Sequence, residues 1–190
     1  MFRSFLLAAG ILVLLFIGFY LFKVTEYNDL NHALENAEKV EFLNLANQNI
    51  QVVPESLNRL PALEILWLQN NSKLDLQASC KTLTQIPQLR AIVISNTALQ
   101  EIPECIASIS SLRVLDVSEN PNLDISQLIQ IIEKMPELEV LSLTFCNLNQ
   151  LPSDIIKIKH LKKIYLMNNN FSPETQNALG TLLPNSNLEF

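Results

Sequence analysis

The most constraining feature of this chain is a motif that returns every 49 residues. Leu63-x-x-Leu66-x-Leu68-x-x-Asn71 is repeated as Leu112-x-x-Leu115-x-Val117-x-x-Asn120, and again as Leu161-x-x-Ile164-x-Leu166-x-x-Asn169. Related copies lie between them: Leu89-x-x-Ile92-x-Ile94-x-x-Thr97 and Leu138-x-x-Leu141-x-Leu143-x-x-Cys146. A first copy starts at Val40 with Leu43, Leu45 and Gln48. Successive starts are 23, 26, 23, 26 and 23 residues apart, so the repeating unit is a 49-residue pair of unlike coils. A fixed period in this range means a stack of small units, none of which buries its apolar side alone.

These copies resemble the leucine-rich-repeat pattern L-x-x-L-x-L-x-x-N, over about Val40 to Phe190. The resemblance implies an α/β solenoid: a short curved parallel sheet with inward leucines, and helices and irregular turns on the convex side. It also implies that Asn at the ninth position satisfies turn backbone from inside, having both donors and acceptors. Asn holds that place only in the long coils, while Gln48, Thr97 and Cys146 hold it in the short ones. The turns after those positions are therefore the part that the pattern fixes least.

The two coil types differ outside the strand as well. Short coils carry Val53-Pro54, Ile102-Pro103 and Leu151-Pro152, again 49 residues apart. Proline lacks an N–H, which suits the return path outside the sheet. Long coils carry Leu74-Asp-Leu and Leu123-Asp-Ile and then a helical stretch. Ser126 is the expected cap of the second, with Leu128, Ile129, Ile131, Ile132 and Met135 on its apolar face.

The expected organisation is a membrane anchor over 1–23, a linker and capping helix over 24–39, six repeats over 40–171 and a terminal cap over 172–190. The repeats divide as 40–62, 63–88, 89–111, 112–137, 138–160 and 161–171 onward. Leu30, Ala33, Leu34 and Ala37 form one helical face, capped by Asn28 or Asp29. Ser172-Pro173-Glu174 reads as a second helix start with Pro at the first position, leading to a last edge strand near Asn187–Phe190.

Phe5 to Phe22 is uncharged, with Arg3 before it and Lys23 after it. As a helix it would measure about 27 Å, close to the ~30 Å hydrocarbon core of a bilayer. Phe19, Tyr20 and Phe22 then form an aromatic belt at one interface. The run is longer than a signal peptide's usual apolar region and ends without a small-residue site. The reading is a single-pass protein with its N-terminus in the cytoplasm and the repeats outside. Secretion after signal cleavage is the alternative.

From Val24 onward, 11 Lys and Arg stand against 19 Asp and Glu, near −8. That balance disfavours nucleic acid. The only glycine after the apolar run is Gly180, so the repeats carry no phosphate loop, dinucleotide fingerprint or nucleophile elbow. His32 and His160 lie far apart in the sequence. Cys80, Cys105 and Cys146 have no zinc spacing, and an odd number leaves at least one unpaired. Cys80 and Cys146 read as small core residues, and Cys105 as the most exposed thiol. No catalytic residue, metal site or small-molecule cofactor is expected.

The resemblance points instead to binding of a protein or peptide on the concave face. The residues between the last two leucines of each motif are Asn44, Trp67, Val93, Asp116, Ser142 and Tyr165. Further along come Ala46, Gln69, Ser95, Ser118, Thr144 and Met167, then Asn47, Asn70, Asn96, Glu119, Phe145 and Asn168. Trp67, Val93, Asp116, Phe145 and Tyr165 are the candidate binding residues, because aromatic anchors dominate hot spots. The rival reading is a structural spacer that self-associates through solenoid edges or helix faces.

Overall fold

The computed structural model describes residues 25–190. The anchor expected over 1–23 lies outside those residues. Among them, no helix is long and apolar enough to cross a membrane.

Eight parallel strands form one sheet in strict sequence order. Six come from the expected repeats: β2 (Phe42–Asn44), β3 (Ile65–Trp67), β4 (Ala91–Val93), β5 (Val114–Asp116), β6 (Val140–Ser142) and β7 (Lys163–Tyr165). The register aligns the middle leucines of the motifs: Leu43, Leu66, Ile92, Leu115, Leu141 and Ile164 are paired in turn. All six are fully buried, and they run up the centre of one continuous core. Burying each such side chain stabilises the fold by about 1.5–3 kcal/mol.

Both ends of the stack are capped by strands. β8 (Asn187–Glu189) is the expected last strand, reached through α4 (Pro173–Leu182), which Ser172 caps as expected by accepting from Thr175 N–H. At the other end β1 (Glu26–Tyr27) pairs with β2. It falls in the stretch read as a linker, and the open edge of β2 explains it, since unpaired edge groups recruit a partner. The capping helix α1 (Leu30–Glu35) follows, with Asp29 accepting from His32 N–H at 2.8 Å.

The unlike coils take unlike return paths. Each long coil has room for an α-helix, α2 (Leu76–Leu83) or α3 (Ile125–Ile132). Each short coil has only a 3-10 segment, over Glu55–Arg59, Glu104–Ser108 and Ser153–Ile158. Pro54, Pro103 and Pro152 stand just before these segments, and their carbonyls accept from Leu57, Ile106 and Ile155 N–H. The helix caps correct the expectation of Ser126. Asp75 and Asp124 cap α2 and α3, accepting from Ala78 and Gln127 N–H at 2.8 and 3.0 Å. Ser126 is inside α3, because the Asp after the leucine already holds the extended cap position.

Alternation of Asn has a structural reason. Each Asn of a long coil serves its own turn and the turn of the short coil before it. Asn120 Oδ1 accepts from Thr97 and Leu99 N–H at 3.2 and 3.0 Å. Its Nδ2 donates back to the Ile94 carbonyl at 3.1 Å and to its own Val117 carbonyl at 3.0 Å. Asn71 likewise accepts from Ile50 N–H and donates to the Leu45 and Leu68 carbonyls. Asn169 accepts from Cys146 and Leu148 N–H and donates to the Leu143 and Leu166 carbonyls. Thr97 adds only one bond, to Ile94 O. The turns that the pattern fixes least, those of the short coils, are satisfied from the next coil.

A second correction concerns the cysteines. Cys80 on α2 and Cys105 on the following 3-10 segment form a disulfide, with Cα atoms 5.8 Å apart. That separation lies in the usual range for a disulfide. The bond joins the first pair of coils to the second on the convex side. Cys146 is the remaining thiol and is buried, as expected of a small core residue.

Candidate functional site

The concave face carries its own apolar layer, separate from the main core. Phe42, Ile65, Ala91, Val114 and Val140 stand one residue before the inward leucine on five adjacent strands, and cluster with Val93 and Tyr165. Trp67 and Met167 pack against this cluster. Parallel register makes a stripe of these residues, because side chains two apart share a face. Lys163 takes the corresponding place on β7. Its ammonium lies 4.5 Å from the centre of the Tyr165 ring and pairs with Glu189 of β8.

The five candidate residues separate into three environments. Trp67 is half-buried near one end, edge-on to Phe42 with ring centres 5.3 Å apart. Its indole Nε1 is buried without a hydrogen-bond partner among the described residues. Val93, Asp116 and Tyr165 lie on the face but are excluded from solvent, at 0, 1 and 1% exposure. Phe145 is 39% exposed but belongs to the turn beyond the strand, where its φ is 55°. The structure thus brings Trp67, Val93, Asp116 and Tyr165 onto one face and leaves Phe145 at its margin.

That turn revises the third of the expected columns. Asn47, Asn70, Asn96, Glu119, Phe145 and Asn168 all have positive φ, between 52° and 61°. The column is the left-handed corner where the strand ends, not part of the concave floor. Asn tolerates this conformation, whereas a bulky residue pays about 1–2 kcal/mol for it. Phe145 is the bulkiest exception in the column.

The polar residues of the floor satisfy one another. Asp116 accepts from Ser118 N–H at 2.9 Å. The Ser118 and Ser142 hydroxyls are 2.7 Å apart, and Thr144 N–H donates to Ser118 Oγ at 3.2 Å. Burial pushes the Asp116 carboxyl up to about 6, against the opposing pull of its hydrogen bonds to Ser118 and Ser142, with Glu119 adding a further upward push. Such a displaced carboxyl marks desolvation, and its neighbours among the described residues are the Ser118 and Ser142 hydroxyls rather than an imidazole or amine. Burial likewise pushes the Cys146 thiol up to about 11, which keeps it protonated. Among the described residues, no three His, Cys, Asp or Glu side chains gather as metal ligands would.

The sequence signal for the apolar stripe was the position before each middle leucine, read five times as Phe, Ile, Ala, Val and Val. An outward strand position on a solvated face ordinarily alternates to polar. The candidate columns began two residues further on and so missed it.

No family model and no curated protein matches the sequence. Solved structures do match the fold. A leucine-rich-repeat protein of Leptospira interrogans superposes with a TM-score of 0.65 at 22% identity, covering 87% of this chain and 46% of that one. The leucine-rich-repeat-containing protein LegL7 from Legionella pneumophila gives 0.63 at 17% identity, covering 86% and 63%. The chain therefore spans about half to two thirds of the length of these structures. Motif, eight-stranded parallel sheet and superposition agree: this chain folds as a leucine-rich-repeat solenoid.

Proposed function

We propose that this protein is a non-catalytic, membrane-tethered binding module that recognises a protein or peptide partner on its concave face. The observation that carries the reading is the stripe Phe42, Ile65, Ala91, Val114 and Val140, with Trp67 beside it. These side chains stand on the face opposite the core, so core packing does not account for them. The stripe itself is at or below 5% exposure, so what this face offers a partner is the large apolar surface at its margins, the half-buried Trp67 and the exposed Phe145. Trp67 and the exposed Phe145 are the anchors at its margins, with Tyr165 and Lys163 bounding the far end. The superposed leucine-rich-repeat structures support a protein-interaction role in general.

The tether is the Phe5–Phe22 run, by its length and lack of charge. The repeat domain lies outside the cytoplasm. The Cys80–Cys105 disulfide supports that side, because such bonds persist in oxidising compartments and are rare in reducing ones. Crosslinking the intact protein in its own cells, followed by mass spectrometry, tests the binding role. Trp67→Ala and Phe145→Ala should lower partner recovery with the fold unchanged, and undiminished recovery with both would refute the site. Protease treatment of intact cells should digest the repeats if they are outside.

Self-association is favoured by one observation, the outer edge of β8, which pairs only with β7 among the described strands. Concentration-dependent dimerisation of the intact protein, abolished by proline at Leu188, would support it.

A further inference from the structure

Two residues depart from the rule of the left-handed corner, and they stand side by side. In four of the six repeats that corner is Asn: Asn47, Asn70, Asn96 and Asn168, with φ between 52° and 61°. Asn fits because its short polar side chain tolerates this conformation. After β5 and β6 the corner is instead Glu119, at φ 58°, and Phe145, at φ 55°. Neither side chain has the tolerance of Asn. A strained residue held where the same chain uses a better one elsewhere points to a use other than folding.

The two corners are neighbours in space. Glu119 N–H donates to the Thr144 carbonyl at 2.9 Å, which fixes one corner beside the other. The register pairs Asp116 with Ser142 three residues earlier, and the nearly equal φ values set both side chains off the corner in one direction, about 4.8 Å apart. Phe145 is 39% exposed, so part of its ring meets water. Glu119 is half-buried, and none of the ion pairs among the described residues engages it. Other glutamates at the strands do have a cation: Arg90 for Glu64, Lys162 for Glu139 and Lys163 for Glu189. Behind the corner, the Glu119 charge presses on the buried Asp116 carboxyl. A positive charge brought to this place relieves a repulsion and creates none.

We propose that Glu119 and Phe145 form a clamp for a basic side chain of the partner, with arginine the best fit. The carboxylate takes the guanidinium by charge-assisted hydrogen bonds, and the ring takes its flat face or its methylene stem. Arginine suits the pair better than lysine, because its planar charge stacks on a ring and still offers donors at its edge. The charge of the domain agrees. From Val24 onward, 11 Lys and Arg stand against 19 Asp and Glu, a balance that steers a basic partner toward the domain. This inference names the chemistry of the partner whose binding is proposed above, and it rests on that reading.

The test uses the full chain in phosphatidylcholine nanodiscs, with acetyl-Ala-Ala-Arg-Ala-Ala-amide as the probe. Binding is read by NMR at the backbone amides of Glu119 and Phe145, where saturable shifts are expected in the millimolar range. The same peptide with citrulline for arginine keeps the shape and loses the charge. It should bind at least about threefold more weakly, the worth of one partly exposed ion pair. Glu119→Asn installs the residue of the other four corners, so the fold accommodates it. Its thermal unfolding should come at or above the temperature of the unmodified chain, while its affinity for the arginine peptide falls at least about threefold. The variant E119N/F145N should lose at least about tenfold, since ring and carboxylate both go.

Absence of shifts at these amides with the arginine peptide would overturn the proposal. So would equal binding of the citrulline peptide, or a Glu119→Asn variant that binds as tightly as the unmodified chain. In cells, undiminished partner crosslinking by Glu119→Arg would also overturn it and leave the concave binding role standing. If the unmodified chain crosslinks no partner, the binding role fails, and the peptide titration still decides the clamp.

Discussion

Asp116 offers the sharpest quantitative test of the concave face. Its carboxyl is 1% exposed and pushed up to about 6 from an ordinary 3.8. The folded state therefore keeps the proton at pH values where the unfolded chain has lost it. Between about pH 4 and pH 6 the folded state binds more protons than the unfolded one, so stability falls as pH rises through that window and levels off above it. A shift of about two units corresponds to at most about 3 kcal/mol at neutral pH, at 1.36 kcal/mol per unit. The substitution Asp116→Asn removes the charge and keeps an oxygen to accept from Ser118 N–H. Some of the gain is offset because the new amide N–H₂ needs acceptors, so a stabilisation of about 1–2 kcal/mol at pH 7.5 is expected. At pH 4 the two proteins should be nearly equal. The assay is urea denaturation of both proteins at pH 4, 5, 6 and 7.5. The exposed Glu55, Glu104 and Glu174, lowered chiefly by hydrogen bonds to Lys81, Lys134 and Ser172, titrate in both proteins and cancel in the difference, whereas Glu119, which repels Asp116, is relieved in the variant and adds to its stabilisation above about pH 6. A difference that does not change with pH, or a variant that is less stable throughout, would refute the argument that Asp116 is desolvated.

Other perturbations address the frame. Asn120→Ala strips partners from two buried N–H groups of the preceding coil and should cost about 3–5 kcal/mol, against about 1 for Thr97→Ala; comparable losses in thermal unfolding would contradict the bridging role of Asn120. Cys105→Ser opens a link across 25 residues and should cost about 3 kcal/mol. In the unmodified protein a thiol reagent should titrate no cysteine when folded, one when unfolded and three after reduction. Phe145→Asn relieves a bulky residue at φ 55° and should stabilise the fold by about 0.5–1 kcal/mol while weakening partner capture. A variant that captures the partner normally would remove Phe145 from the site.

The six repeat strands were legible, since the leucine spacing repeats six times and parallel stacking leaves one register. Ser172 and Asp29 were legible because cap chemistry is local. β1 was not: Glu26–Tyr27 has no pattern of its own and is a strand only because β2 has an open edge. The Cys80–Cys105 pairing carried an unused signal, a separation of 25 residues, which is about one coil and sets the two on neighbouring turns of the stack. Asp75 and Asp124 were similarly visible as a repeated Leu-Asp before each helix. Burial of Val93, Asp116 and Tyr165 was beyond the motif, because a residue's place on a face does not fix its depth in that face.

The backward reach of Asn71, Asn120 and Asn169 gives the stack a rule of order. A short coil is incomplete until a long one follows it. Were 112–137 excised, Leu99 N–H would meet Cys146, a thiol and a weak acceptor, in place of the Asn120 amide. Excising 89–137 instead would leave every short coil followed by its long one. Length can therefore change cleanly only in whole pairs, about 9.6 Å of sheet at a time. A chain emerging from its N-terminal side cannot finish a short turn until the next 26 residues have begun to arrive, so the pair is also the smallest step by which this solenoid can be built.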